Sequence, residues 1–254
     1  MPLLILFTRN ATPFQFSLLV FLLALVGLDE FYRMALPMRR GEGMLAALAG
    51  AASVFAVFAP HPMAPVMALT LLVLAFCLIA LFRLQDIRQA AGDAALILMG
   101  FLYVPLLLGH LVMIRSLPQG VSWLFLIMVI VMAGDSAAYY VGSSIGKTKL
   151  YPAVSPKKSI EGSLGGLAGS VGGALVSRAL FFPELTVADC VATALLLGIL
   201  GQLGDLFESL IKRSCGVKDS GVIFPGHGGI LDRLDSILFA APAAYYYAIF
   251  LFRG

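Results

Sequence analysis

The chain has 254 residues, 60% of them hydrophobic and 12% charged, with a formal net charge of +3. An ordinary soluble domain carries about 25% charged residues, and a mean hydropathy of +0.97 leaves too little polar surface to face water on every side. The chain is expected to be an integral membrane protein with no nucleic-acid partner, and at roughly 20 apolar residues per span at most about nine helices fit, with no large extra soluble domain.

Taken in chain order, the start MPLLILFTRN has no basic region ahead of its apolar stretch and no cleavage pattern, so it is not a secretory signal. The stub from Met1 to Thr8 is expected to be the tail of a longer first helix. Apolar segments follow at Phe14–Leu28, Met44–Phe58, Val66–Phe82, Ala94–Met113, Val121–Val141, Ser163–Phe181, Ala188–Leu203 and Leu234–Phe252. They lack the two-residue alternation of barrel strands, and backbone in lipid must satisfy its own hydrogen bonds, so each is expected to be helical. The fold class is therefore all-α and polytopic, with eight spans, or nine with the stub. Residues 1–254 are expected to form one membrane domain, in which 1–120 are spans of no evident role and 121–254 carry the chemistry.

Cytoplasmic loops retain Lys and Arg. Counting alternate loops puts thirteen of the 17 basic residues on one side, leaving Arg9, Arg115, Arg178 and Arg253 on the other. The charged loops, and the active site with them, are expected at the cytoplasmic face, which in a bacterium means the inner membrane. The stretch SLGGLAGSVGG sets Gly165, Gly169 and Gly173 at GxxxG spacing, which lets helix backbones approach closely in lipid. Helix packing is the first reading; a homodimer seam and a helix beside a substrate groove stay open. Cys77, Cys190 and Cys215 show no CxxC or Cys/His spacing, so neither a disulfide framework nor a zinc site is expected.

The densest charge lies between Gly204 and Ser236. Asp205, Glu208, Asp219, Asp232 and Asp235 fall there among Lys212, Arg213, Lys218, Arg233 and His227. On a helix, Asp205, Glu208, Ser209 and Lys212 share one face, and so do Asp232 and Asp235 where the last span begins. Aspartates at a helix start also suit the macrodipole, but Asp205 and Glu208 sit at the opposite end of their span. Carboxylates without His or Cys ligands suit Mg²⁺, which takes one or two of them and shares its other positions with water and substrate phosphates. Between the acidic pairs, GVKDSGVIFPGHGG is too rich in Gly, Pro and Ser to stay helical. Its glycines, Gly228 and Gly229 among them, let backbone N–H groups approach an anion. Lys212, Arg213 and Lys218 supply countercharge, and His227 either meets phosphate or holds the loop.

A second constellation spans residues 134–162. Asp135, one helical turn from Tyr139, lies at a depth where an acid is costly unless paired or functional. Ser155, Lys157, Lys158 and Ser159 are expected to form a hydroxyl-and-cation loop suited to phosphate. Neither a Walker A nor a GxGxxG pattern is present.

Ser209, Lys212, Arg213, Lys218, Asp219, Pro225, His227, Gly228, Gly229, Asp232, Arg233, Leu234 and Asp235 occur in the order and spacing of a known signature. The segment resembles that of the phosphatidate cytidylyltransferases, or CDP-diacylglycerol synthases. Similarity covers at least residues 134–236. Ser159 and Ile160 stand where that family often has Thr and Trp, and family members tend to begin with a further complete helix. The resemblance implies that CTP and phosphatidate give CDP-diacylglycerol and pyrophosphate in the bilayer, with Mg²⁺, alone or with a second cation. It implies Asp205, Asp232 and Asp235 as metal ligands and Asp219 and His227 as catalytic residues. Ser155, Lys157, Lys158, Ser209, Lys212, Arg213, Lys218, Gly228 and Gly229 would bind phosphate. A kinase or nucleotidyltransferase acting on a polyprenol, and a transporter, are the alternatives; the concentration of charge at one face and the lack of an internal repeat argue against the transporter.

Overall fold

The computed structural model describes residues 2–36, 40–58, 61, 63–82, 88–223 and 228–253. It is 79% helical, in keeping with the all-α polytopic reading. The apolar segments of the sequence all become helices: α1 (Pro2–Asn10), α2 (Pro13–Ala35), α3 (Arg40–Ala52) running into a 3₁₀ turn at Ser53–Phe58, α4 (Ala64–Phe82), α5 (Ala90–Tyr103), α6 (Pro105–Arg115), α7 (Gly120–Ile145), α8 (Ile160–Leu180), α9 (Val187–Ser214) and α10 (Leu231–Phe250). Among the described residues, four stretches are long and apolar enough to cross a membrane by themselves: Pro13–Ala35, Ala90–Arg115, Gly120–Ile145 and Val187–Ser214.

The chain packs as two compact units, Met1–Met113 with Asp219–Asp232, and Ile114–Lys218 with Arg233–Gly254. In the first unit α2 packs against α3 and α5. A capping box starts α2, with Thr12 Oγ1 accepting from Gln15 N (3.2 Å) and Gln15 Oε1 accepting from Thr12 N (2.9 Å). Its Phe31 is fully buried, and the Tyr32 hydroxyl donates to the Ile97 carbonyl at 2.8 Å. A Cβ at Gly100 would fall 2.6 Å from the Tyr32 ring and 2.8 Å from that of Phe31, so glycine there lets both rings lie on α5. Pro105, which has no N–H to donate, separates α5 from α6. The Leu108 N–H still bonds to the Val104 carbonyl at 3.0 Å, so the two read as one interrupted span.

In the second unit α8 packs along α7 and against α9. Built onto the glycine stripe, a Cβ at Gly165 would meet the Val141 side chain at 2.6 Å, one at Gly169 the Ala133 carbonyl oxygen at 2.7 Å, and one at Gly173 the Ala133 Cβ at 3.0 Å. The stripe is therefore taken up inside the unit, where α7 and α8 approach too closely for larger residues. Trp123 is buried among the rings of Phe182, Tyr247 and Phe252.

The segment around Ser155 differs from the loop expected of it. Residues Ser155–Ser159 form strand β2, paired antiparallel with β1 (Lys149–Tyr151). The hairpin is tied to the start of α8 because the Glu161 carboxylate accepts from the N–H groups of Lys147 and Thr148, each at 3.1 Å. Ser159, expected to face phosphate, caps α8, its Oγ accepting from Gly162 N at 3.1 Å. The preference of Ser for the N-cap of a helix accounts for that residue without a ligand.

Candidate active site

Within the second unit, acids from three helices gather near one strand. At 28 residues, α9 is about 42 Å long, against a hydrocarbon core of about 30 Å. Its length exceeds that of one apolar span, which leaves room for the charged turns from Asp205 onward. A capping box fixes its other end, Thr186 Oγ1 accepting from Asp189 N at 3.0 Å. Small residues bring α10 close to α9: a Cβ at Gly204 would lie 2.5 Å from the Asp235 carbonyl oxygen, and one at Gly201 3.6 Å from the Ser236 Cβ. Asp205 and Asp235 flank this contact.

Lys158, on β2, places its Nζ 2.5 Å from Asp205 Oδ2, with both side chains about one-third exposed. Asp235 is half-buried, and the charges acting on it are Asp205 and Asp135, which repel it, and Lys158, which offsets them only in part. Asp135 also lines a small cavity with Ser170, Gly198, Gln202 and Ser236, with room for about one water molecule. Tyr139, its expected neighbour, is exposed.

Further along α9, Glu208 and Lys212 form a buried ion pair. Lys212 was expected to meet phosphate; here its ammonium is engaged by Glu208. Ser209 is half-buried, and Arg213 is exposed with Nη1 donating to the Val217 carbonyl at 3.4 Å. Ser155 is half-buried, whereas Lys157, Lys218 and Asp219 are exposed. His227 lies outside the described residues.

The first unit holds Gly228, Gly229 and Asp232 of the signature. Asp232 Oδ2 accepts from Gly229 N (2.7 Å), Ser220 N (2.9 Å) and Ser220 Oγ (2.9 Å). Gly228 takes φ +83, and a Cβ there would collide with the Asp232 carboxylate. The glycines thus let the loop close on the acid, drawing its N–H groups to a carboxylate of the chain itself. Two partners in this arrangement were absent from the sequence reading: Ser220, and the buried Glu30 of α2, which accepts from Ser220 Oγ, Ile230 N and Leu231 N, each at 3.0 Å. An acid inside an apolar helix is a functional candidate by default. That signal was present at Glu30, beside an Asp29 that pairs with Arg33 at 2.7 Å.

Comparison with known proteins decides the class. The family model described as "Cytidylyltransferase family" matches residues 1–251. The chain belongs to the cytidylyltransferase family. Among curated relatives, a phosphatidate cytidylyltransferase of Staphylococcus haemolyticus is 37% identical over 228 residues, 89% of this chain and 86% of that protein. One of Bacillus subtilis is 40% identical over 155 residues, 61% of this chain and 58% of that protein. One of Staphylococcus aureus is 40% identical over 176 residues, 68% and 66% of the two chains. This cytidylyltransferase-family member is a nucleotidyltransferase and an integral membrane protein.

Among the described residues, no three His, Cys, Asp or Glu side chains gather as a ready-made metal site. The donors near Lys158 are carboxylate oxygens, a chemistry that fits a hard cation taking one or two protein carboxylates and does not fit zinc.

Proposed function

We propose that the protein transfers the cytidylyl group of CTP to phosphatidate, giving CDP-diacylglycerol and pyrophosphate for phospholipid synthesis, with the charged loops on the cytoplasmic side. The observation that carries this reading is the convergence of Asp135, Asp205 and Asp235 beside Lys158 in a membrane-embedded member of the cytidylyltransferase family. The names of the relatives supply the substrates, and the lopsided distribution of Lys and Arg supports the orientation.

Mg²⁺ is the proposed cofactor. Asp205, Asp232 and Asp235 are the carboxylates proposed as its ligands, and the ion would neutralise charge on the triphosphate. The phosphate oxygen of phosphatidate is already anionic, so no strong general base is needed. It forms a bond to the α-phosphorus as the bond from that phosphorus to the bridging oxygen breaks, and pyrophosphate leaves with the electron pair. Lys158, Arg213 and Lys218 are cations suited to phosphate oxygens, and positioning with charge neutralisation supplies most of the acceleration, as in other phosphoryl-group transfers.

The test uses CTP labelled separately at the α- and γ-phosphates, with phosphatidate, Mg²⁺ and detergent-purified protein. Metal-dependent α-label in lipid with γ-label in pyrophosphate is expected, and Asp232→Asn should lose most of it while remaining folded. γ-Label in lipid would replace this reading with a kinase, and absence of lipid labelling would remove phosphatidate as the acceptor.

A further inference from the structure

We infer that Glu30 is a positioning residue for Asp232, reaching from α2 to fix the aspartate through Ser220 and the start of α10. The inference rests on the reading of Asp232 as a cation ligand given above.

The first N–H groups of a helix have no partner within it, and a Ser, Thr, Asp or Asn side chain at the N-cap usually accepts from them. The residue preceding α10 is Ile230, whose side chain accepts nothing. Glu30, 200 residues earlier in the chain, takes that role: Oε1 accepts from Ile230 N and Oε2 from Leu231 N, both at 3.0 Å. A carboxylate at a helix N-terminus also gains from the macrodipole. Burial of an ionised carboxylate is costly unless its oxygens are satisfied, and Glu30 is only 4% exposed, so the donors and the acid hold one another in place.

The loop is shaped to this carboxylate. A Cβ at Gly221 would stand 2.8 Å from Glu30 Cδ, and one at Gly229 would run into the Glu30 oxygens and Ser220 Oγ. Ser220, flanked by Gly221, is the link onward. Its hydroxyl lies 3.0 Å from Glu30 Oε2 and 2.9 Å from Asp232 Oδ2, and with one proton to donate it is shared between two acids. Capping alone would not require that second contact. Asp232 Oδ2 is held by the Ser220 and Gly229 N–H groups and by its share of the Ser220 hydroxyl proton, on residues that Glu30 itself contacts. When outer hydrogen bonds aim a metal-binding carboxylate, losing one typically costs about 10–100-fold in metal affinity or activity.

Purified protein without nucleotide is titrated with Mn²⁺, free Mn²⁺ being read by electron paramagnetic resonance, for wild type, Glu30→Gln, Ser220→Ala and Asp232→Asn. Gln turns an N–H group toward donors that need an acceptor. Glu30→Gln should therefore raise the Mn²⁺ Kd about tenfold or more and lower kcat, with the phosphatidate KM unchanged. A purely structural Glu30 would lower stability but leave the Mn²⁺ Kd of the folded fraction at the wild-type value, and that result overturns the inference. If Glu30→Gln fails to fold, Ser220→Ala decides: it removes only the bridging hydroxyl, and an unshifted Kd overturns the proposal equally. Wild-type Mn²⁺ binding by Asp232→Asn would instead sink the reading of Asp232 as a ligand. Weakened binding in Asp232→Asn with none in the other two variants would sink the positioning role alone.

Discussion

Substituting Glu208→Gln keeps the shape of a side chain that is 1% exposed while removing the anion paired with Lys212, itself 11% exposed at its side chain. The Lys212 ammonium then stays in a nearly dry place without the Glu208 carboxylate. Removing one partner of a buried pair typically costs about 3–5 kcal/mol, a large share of the roughly 5–15 kcal/mol that holds a domain folded. The desolvation cost of the two charges largely cancels their attraction, so removing both behaves differently. Glu208→Leu with Lys212→Met should return to within about 1 kcal/mol of wild type, or exceed it. The chain has a single tryptophan, Trp123, buried in the same unit. Its fluorescence can follow equilibrium unfolding in mixed micelles for wild type, Glu208→Gln and the double variant. A Glu208→Gln protein within about 1 kcal/mol of wild type, or a double variant as unstable as the single, would refute the argument that the pair is buried and mutually dependent.

Gly169→Val forces side-chain atoms against Ala137 and the Ala133 carbonyl, whereas a Cβ at Gly172 meets nothing within 4 Å. The first should cost about 1–3 kcal/mol or more and Gly172→Ala should be neutral or stabilising, as thermal unfolding in detergent will read. Lys158→Met removes the cation beside Asp205 and should lower kcat/KM for CTP by about 10²-fold, in line with loss of one transition-state donor, with thermal stability little changed. Thr186→Ala removes the cap that accepts from Asp189 N and should cost about 1 kcal/mol without altering the CTP KM.

Much of the site was legible because its signals are local. Asp205, Glu208, Ser209 and Lys212 share a face by helical period alone, and α9 does carry them to Ser214. The glycines of the 216–229 segment announced a loop, and Gly228 does take a positive φ. What they face was not legible: local composition suggested N–H groups opening to phosphate, whereas the Ser220 and Gly229 N–H groups bond to Asp232. Spacing put Lys212 on one face with Glu208, as the ion pair has it, without saying that the two charges would be buried together. Ser155–Ser159 read as a loop because the pairing that makes it a strand lies in another segment, at Lys149–Tyr151.

The sequence by itself determined that this is a helical membrane protein and which segments become helices, since hydropathy and the need to satisfy backbone groups in lipid act residue by residue. Through the spacing from Ser209 to Asp235 it also carried the family. Tertiary structure alone decided which charges meet: Lys158 with Asp205 from a strand and a helix 47 positions apart, and Glu30 with Ser220 and the start of α10, about 190–200 positions apart. A buried charge must find a partner, but burial fixes only the need; which partner answers depends on how the helices pack.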